Sequence, residues 1–138
     1  MAPASDTGCC VTIVADTSVL VDNLRGRPAA LEAFERLRET DESLVASVLT
    51  KVEILAGARP GEEGGIRALF DEIEWRDVDN RIAERAGELA AAFARTHRGV
   101  EIVDYVIAAT VQLLGAELWT RNRKHFPMFP ELAEPYEA

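Results

Sequence analysis

Residues 11–20 read VTIVADTSVL, and two kinds of local order meet inside this stretch. Val11 to Ala15 is a β-branched run without amphipathic period, the pattern of a strand buried on both faces of a parallel sheet. Asp16, Thr17 and Ser18 are helix-opening residues, and Leu20 and Leu24 follow four positions apart before Gly26 stops the helix. A buried strand that hands over directly to a helix is the opening unit of an α/β domain.

The same alternation continues outward from this unit. Pro28 starts a second helix with Leu31, Phe34 and Leu37 on one face. Leu44 to Val48 reads as a second buried strand, and Thr50 to Ala58 as a helix broken before Pro60 and Gly61. A helix around Gly65 to Ile73 and a short extended piece at Glu74 to Val78 come next. A long amphipathic helix then runs from Asn80 to Thr96, capped by Asp79 or Asn80, with Ile82, Ala86, Leu89, Ala90 and Phe93 along its buried stripe. The pattern predicts a further helix from Val103 to Leu114, stopped by Gly115, and a last strand at Glu117 to Thr120. Such a chain folds as a mostly parallel sheet with helices on both faces and right-handed crossovers. Trp75 and Trp119 are expected to pack against the sheet.

With 138 residues there is room for one domain, expected at residues 11–138, behind a flexible tail at residues 1–10. Apolar residues make up 48% of the chain, enough for a proper core. The formal net charge is −9 and the pI about 4.7. That balance excludes a protein that coats long nucleic acid non-specifically; any nucleic acid must be met locally, through a cation or a small basic patch. Cys9 and Cys10 are adjacent and form neither a zinc spacing nor a disulfide framework, which points to a reducing, cytoplasmic setting. MAPASDTGCC lacks the basic start and apolar stretch of a signal peptide, and no apolar run approaches the ~18 residues that span a bilayer.

In an open parallel sheet the ligand crevice lies beyond the carboxyl ends of the strands, and three carboxylates fall at or near such places. Asp16 follows the first strand directly, where capping the helix is an equally good use for it. Glu53 has Leu49, Thr50, Ala56 and Gly57 as its helical neighbours, with no basic partner. Asp104 opens an apolar helix among Val103, Tyr105, Val106 and Ile107, favoured by the helix dipole but close to a buried surface. Two such charges roughly 4 Å apart repel by about 4 kcal/mol at an effective dielectric near 20. Protons or a divalent cation must relieve that repulsion, and hard oxygen donors without a His or Cys cluster favour Mg²⁺ or Mn²⁺. WTRNRKHF, from Trp119 to Phe126, adds the amide of Asn122 and a local basic patch of Arg121, Arg123 and Lys124. His97 and His125 are read as non-catalytic; Asp22 lies at a helical spacing from Asp16 that could bring it to the site, with a solvated face the favoured reading.

VADTSVL with Asp16, TKVEILAG with Glu53, VDYVIAAT with Asp104 and LWTRNRKHF occur in that order, and the ordered set resembles the PIN-domain ribonucleases, above all the VapC toxins of bacterial toxin–antitoxin pairs. The resemblance runs from Val11 onward. It implies a three-layer α/β/α sandwich, a Mg²⁺- or Mn²⁺-dependent endoribonuclease, a VapB-type antitoxin that blocks the site, and a homodimer. By motif, Asp16, Glu53 and Asp104 become the metal-binding acids, while Thr120 and Asn122 fall in the fourth motif. Many PIN domains carry an aspartate where this chain has Asn122, so one charge is missing here. Thr17 and Ser18 are expected to orient the first carboxylate, and Arg121, Arg123 or Lys124 to steady an RNA phosphate.

Two other readings compete with this one. A non-catalytic binding module on the same fold would keep the acids only as helix caps. A receiver-like phosphoacceptor domain has a similar size and acidic site, but it needs an aspartate ending a central strand and a lysine ending a late one. Glu53 lies within a helix and Lys124 well past the last strand.

Overall fold

A computed structural model describes residues 11–137; the expected tail at residues 1–10, with Cys9 and Cys10, lies outside the described residues. Four strands form one sheet: β1 (Thr12–Ala15), β2 (Ser43–Ser47), β3 (Glu74–Arg76) and β4 (Glu117–Trp119). Their order is β3-β2-β1-β4, and every pairing is parallel. The chain builds away from β1 on one side, then returns to its other side with β4. That reversal makes the carboxyl ends of β1 and β4 the switch point of the sheet, the usual place for a ligand crevice.

Six helices cover the two faces: α1 (Thr17–Leu24), α2 (Pro28–Thr40), α3 (Val48–Ala56), α4 (Glu63–Asp71), α5 (Asn80–Phe93) and α6 (Ile102–Leu114). Alternate strand residues feed two separate cores, as the period of two in a strand requires. Ile13, Ala15 and Ala46 meet Val19 and Leu20 of α1, Ala33, Phe34 and Leu37 of α2, and Ile66 and Leu69 of α4. Val14, Val45 and Leu118 meet Ile82, Ala86 and Leu89 of α5 and the apolar length of α6. The three-layer α/β/α sandwich is therefore as expected. Each fully buried Leu, Ile or Val of these cores contributes about 1.5–3 kcal/mol relative to exposure.

Element boundaries follow local chemistry. The Asp16 side chain accepts from the Thr17 N–H and caps α1, Pro28 opens α2, and Asp79, not Asn80, caps α5 by accepting from the Ile82 N–H. Gly115 takes the left-handed conformation, φ 62°, that ends α6. Several boundaries shift: β3 stops at Arg76, short of Val78, and α5 at Phe93, short of Thr96. Helix α3 begins at Val48, which the alternation had assigned to the strand, because the Ser47 hydroxyl accepts from the Leu49 N–H and starts the helix early. Helix α4 starts before Gly65 and stops at Asp71, leaving Ile73 buried beyond its end. The tryptophans lie within strands and pack outward on helices: Trp119 edge-on to Phe34 of α2, Trp75 edge-on to Phe70 of α4.

After β4 a short 3₁₀ turn, Arg123–His125, leads into the C-terminal segment. Phe126 is sunk in the α5/α6 core and Tyr136 in the opposite one, so the segment between them passes from one face of the sheet to the other. Residues 120–125, between β4 and the Phe126 anchor, lie at the carboxyl ends of β1 and β4, tied there by bonds from Thr120 to Asp16 and from the Arg121 N–H to Ser18.

Candidate active site at the carboxyl edge of the sheet

Asp16 is nearly fully buried and held by four contacts from two distant parts of the chain. Its backbone N–H donates to the Trp119 carbonyl at 2.9 Å. Its carboxylate accepts from the Thr17 N–H at 2.8 Å, the Ser18 hydroxyl at 3.1 Å and the Thr120 hydroxyl at 2.7 Å. Capping and a site role are thus not exclusive: the cap fixes one oxygen, and the hydroxyls fix the other. Thr120, completely buried, also accepts from the Asn122 N–H at 2.9 Å, while Ser18 accepts from the Arg121 N–H at 3.0 Å. The loop after β4 is thereby laced onto α1.

Glu53 reaches the same region from α3, its carboxylate taking a short hydrogen bond from the Thr17 hydroxyl. Asp104 comes from the first turn of α6, where it accepts from the Glu101 N–H at 2.9 Å, a helix-capping bond that fixes its rotamer. Asp16, Glu53 and Asp104 line one cavity of about 440 Å³, whose rim includes Asn122, His125 and Glu101. Burial pushes the Asp104 carboxyl above the usual carboxylate range, and the charges of Asp16 and Glu53 add to the rise. The Glu101 N–H and His125 pull against it. Asp104 therefore feels the charges of two acids carried by other elements.

Asn122 is exposed at the mouth of the cavity. Of the three cations expected to meet phosphate, Lys124 and Arg123 are exposed, whereas Arg121 is already engaged, its guanidinium donating to Asp22 at 2.8 Å. Asp22 departs from its reading as a solvated residue: it also accepts from the Tyr136 hydroxyl at 2.7 Å and pairs with Arg27 at 3.2 Å. His125, read as non-catalytic, stands with Nδ1 3.4 Å from Asp104 Oδ2. No sequence signal marked this contact, because it depends on how the turn after Asn122 lies against α6. Asp22 also lines the cavity, as its helical spacing from Asp16 allowed; its ties to Arg121 and Tyr136 gave no signal, because those partners lie some hundred residues downstream.

The matches to known proteins agree with this geometry. The family model for the PIN domain matches residues 13–133. The chain belongs to the PIN-domain family. This PIN domain is 44% identical over 121 residues to Ribonuclease VapC19 of Mycobacterium tuberculosis, covering 88% of the chain and 97% of the relative. It is 34% identical over 124 residues to Ribonuclease VapC10 of the same species, with 90% and 92% covered. Among solved structures, a toxin–antitoxin complex from Klebsiella pneumoniae superposes with a TM-score of 0.75 at 30% identity, covering 91% of this chain and 99% of that one. The receiver-like reading falls with the family assignment.

Among the described residues, no three His, Cys, Asp or Glu side chains are set closely enough to form a ready-made metal cage. An ion that keeps several of its own waters needs no such cage. Apart from the His125 imidazole, the donors facing the cavity are hard oxygens, the Asp16 carboxylate is rigidly oriented, and Asp16 and Glu53 add negative charge around the buried Asp104, which fits Mg²⁺ or Mn²⁺.

Proposed function

We propose that this PIN domain is a divalent-metal-dependent endoribonuclease toxin, acting in the cytoplasm and held in check by a VapB-type antitoxin. The observation that carries the reading is the cavity in which Asp16, Glu53 and Asp104 meet. The ribonuclease names of its relatives and the Klebsiella toxin–antitoxin complex support the substrate and the partner.

In this reading Asp16 and Asp104 hold Mg²⁺ or Mn²⁺, with Glu53 direct or through water. The ion would supply charge neutralisation at an RNA phosphodiester and a more acidic water for its hydrolysis. The chain's own residues do the positioning. Thr120, Ser18 and the Thr17 N–H fix the Asp16 carboxylate, Thr17 steadies Glu53, and the exposed Asn122 amide orients water or a phosphate oxygen at the mouth. A homodimer belongs to the same proposal, with the exposed Val52 and Leu55 of α3 and Ile102 of α6 as apolar surface for it.

Sequencing the RNA ends left by the purified protein tests the reading. Cleavage that needs Mg²⁺ or Mn²⁺, stops with EDTA and is lost in Asp104→Asn is expected. Divalent ions that raise the melting temperature without any RNA cleavage would instead favour a non-catalytic binding module.

A further inference from the structure

A second cavity, of about 460 Å³, adjoins the first and is lined by Arg121, Asn122, Arg123, Lys124, His125 and Glu134. Asn122 and His125 belong to both, so a polymer lying across the carboxylates runs directly into this one. On a protein of net charge −9, three of its six walls are permanent cations.

Those cations are not equivalent. Arg121 is withdrawn, bound to Asp22 and set over the ring of Tyr136 at 5.6 Å. Lys124 is exposed and has no carboxylate within 4.0 Å among the described residues. Arg123 donates to the Leu132 carbonyl at 3.2 Å and faces Glu134 at 3.8 Å, with more than half of its side chain exposed. An exposed ion pair of that length is weak and easily exchanged for a better anion. Phosphate is such an anion, since it accepts several charge-assisted hydrogen bonds at once.

We propose that this cavity seats a flanking phosphate of single-stranded RNA, with Lys124 and Arg123 as its contacts, Arg121 as the strut beneath them, and Glu134 as the carboxylate that the phosphate displaces. The proposal rests on the nuclease reading for the identity of the polymer. Continuity with a cavity suited to phosphodiester chemistry is what favours RNA over an acidic peptide. Glu134 then sets a threshold: an isolated anion gains little by displacing it, whereas a strand also anchored at the carboxylates gains the seat as a second contact.

The test is binding of labelled single-stranded oligoribonucleotides of random sequence, followed by fluorescence anisotropy over a range of salt with Mg²⁺ present. Lys124→Ala and Arg123→Ala are each expected to weaken binding about tenfold and each to lower the slope of log K against log salt, by ~0.7 in the double variant, the release from one phosphate. Glu134→Gln tightens binding, and Arg36→Ala, on the exposed face of α2, changes nothing. Wild-type slopes in the cation variants, or no measurable binding by the wild type, would overturn the seat. Equal competition by a polyglutamate peptide would overturn it as well, by making the cavity a general polyanion site. Altered slopes without RNA cleavage would leave the seat standing and remove the nuclease reading; metal-dependent cleavage with unaltered slopes would do the reverse.

Discussion

Thr120 Oγ1 donates to Asp16 Oδ2 at 2.7 Å, tying the residue after the last strand to the residue after the first. The same hydroxyl accepts from the Asn122 N–H. Thr120→Val keeps the shape and removes both bonds, leaving the buried Asp16 carboxylate short of a donor. The expected cost is about 1–3 kcal/mol of stability and ~10- to 100-fold in Mn²⁺ affinity. Thr120→Ser restores both. Denaturant unfolding and Mn²⁺ titration check this, and an unchanged affinity in Thr120→Val would separate the hydroxyl from the site.

Asp104 titrates above its ordinary range chiefly because it is buried, with Asp16 and Glu53 adding to the rise. A carboxyl raised in the folded state stabilises the fold below its unfolded pKa, near 3.9, and loses that contribution as pH climbs through the folded value. An Asn side chain is neutral throughout and still accepts from the Glu101 N–H. Metal-free Asp104→Asn is therefore expected to melt higher than wild type at neutral pH, by on the order of 1 kcal/mol or ~4 °C. The two should converge in acid. A variant that melts lower at neutral pH contradicts the repulsion.

Tyr136 is pushed well above the ordinary phenol range, first by burial and then by its bond to Asp22. Its neutral form thus belongs to the fold: the contribution is complete below pH ~10 and is lost as pH rises beyond it. Tyr136→Phe is expected to cost about 0.5–1.5 kcal/mol at neutral pH and to flatten the alkaline loss of stability. Thermal melts across that range decide it.

Asn122 stands exposed at the cavity mouth, where many PIN domains carry an acid. Asn122→Asp adds a further negative charge there, so the metal-free protein should melt slightly lower and bind Mn²⁺ several-fold tighter. Calorimetric titration showing weaker Mn²⁺ binding would place residue 122 outside the field of the ion.

The layered fold was legible because strand and helix signals are local. VTIVA, the Asp16 and Asp79 caps, Pro28 and Gly115 act on their immediate neighbours, and the structure keeps them; the Ser47 cap, hidden inside a strand-like run, was the one missed. The acids were legible because each lies at a strand exit or in an apolar helix without a basic neighbour. Asp22 was not, since its meaning depends on Arg121 and Tyr136, brought to it by a C-terminal segment anchored in both cores. Arg121 was misread for the same reason: exposure of a basic residue cannot be inferred from a loop motif when its partner lies 99 positions away. His125 depends on how the turn after Asn122 lies against α6, which only the packing of Phe126 decides.

Anomalous diffraction from crystals soaked in Mn²⁺ tests the central claim most directly. An ion bonded to carboxylate oxygens of both Asp16 and Asp104, with Glu53 in direct or water-mediated contact, is expected. Mn²⁺ bound elsewhere, or no ion in a cavity with all three carboxylates in place, would contradict it.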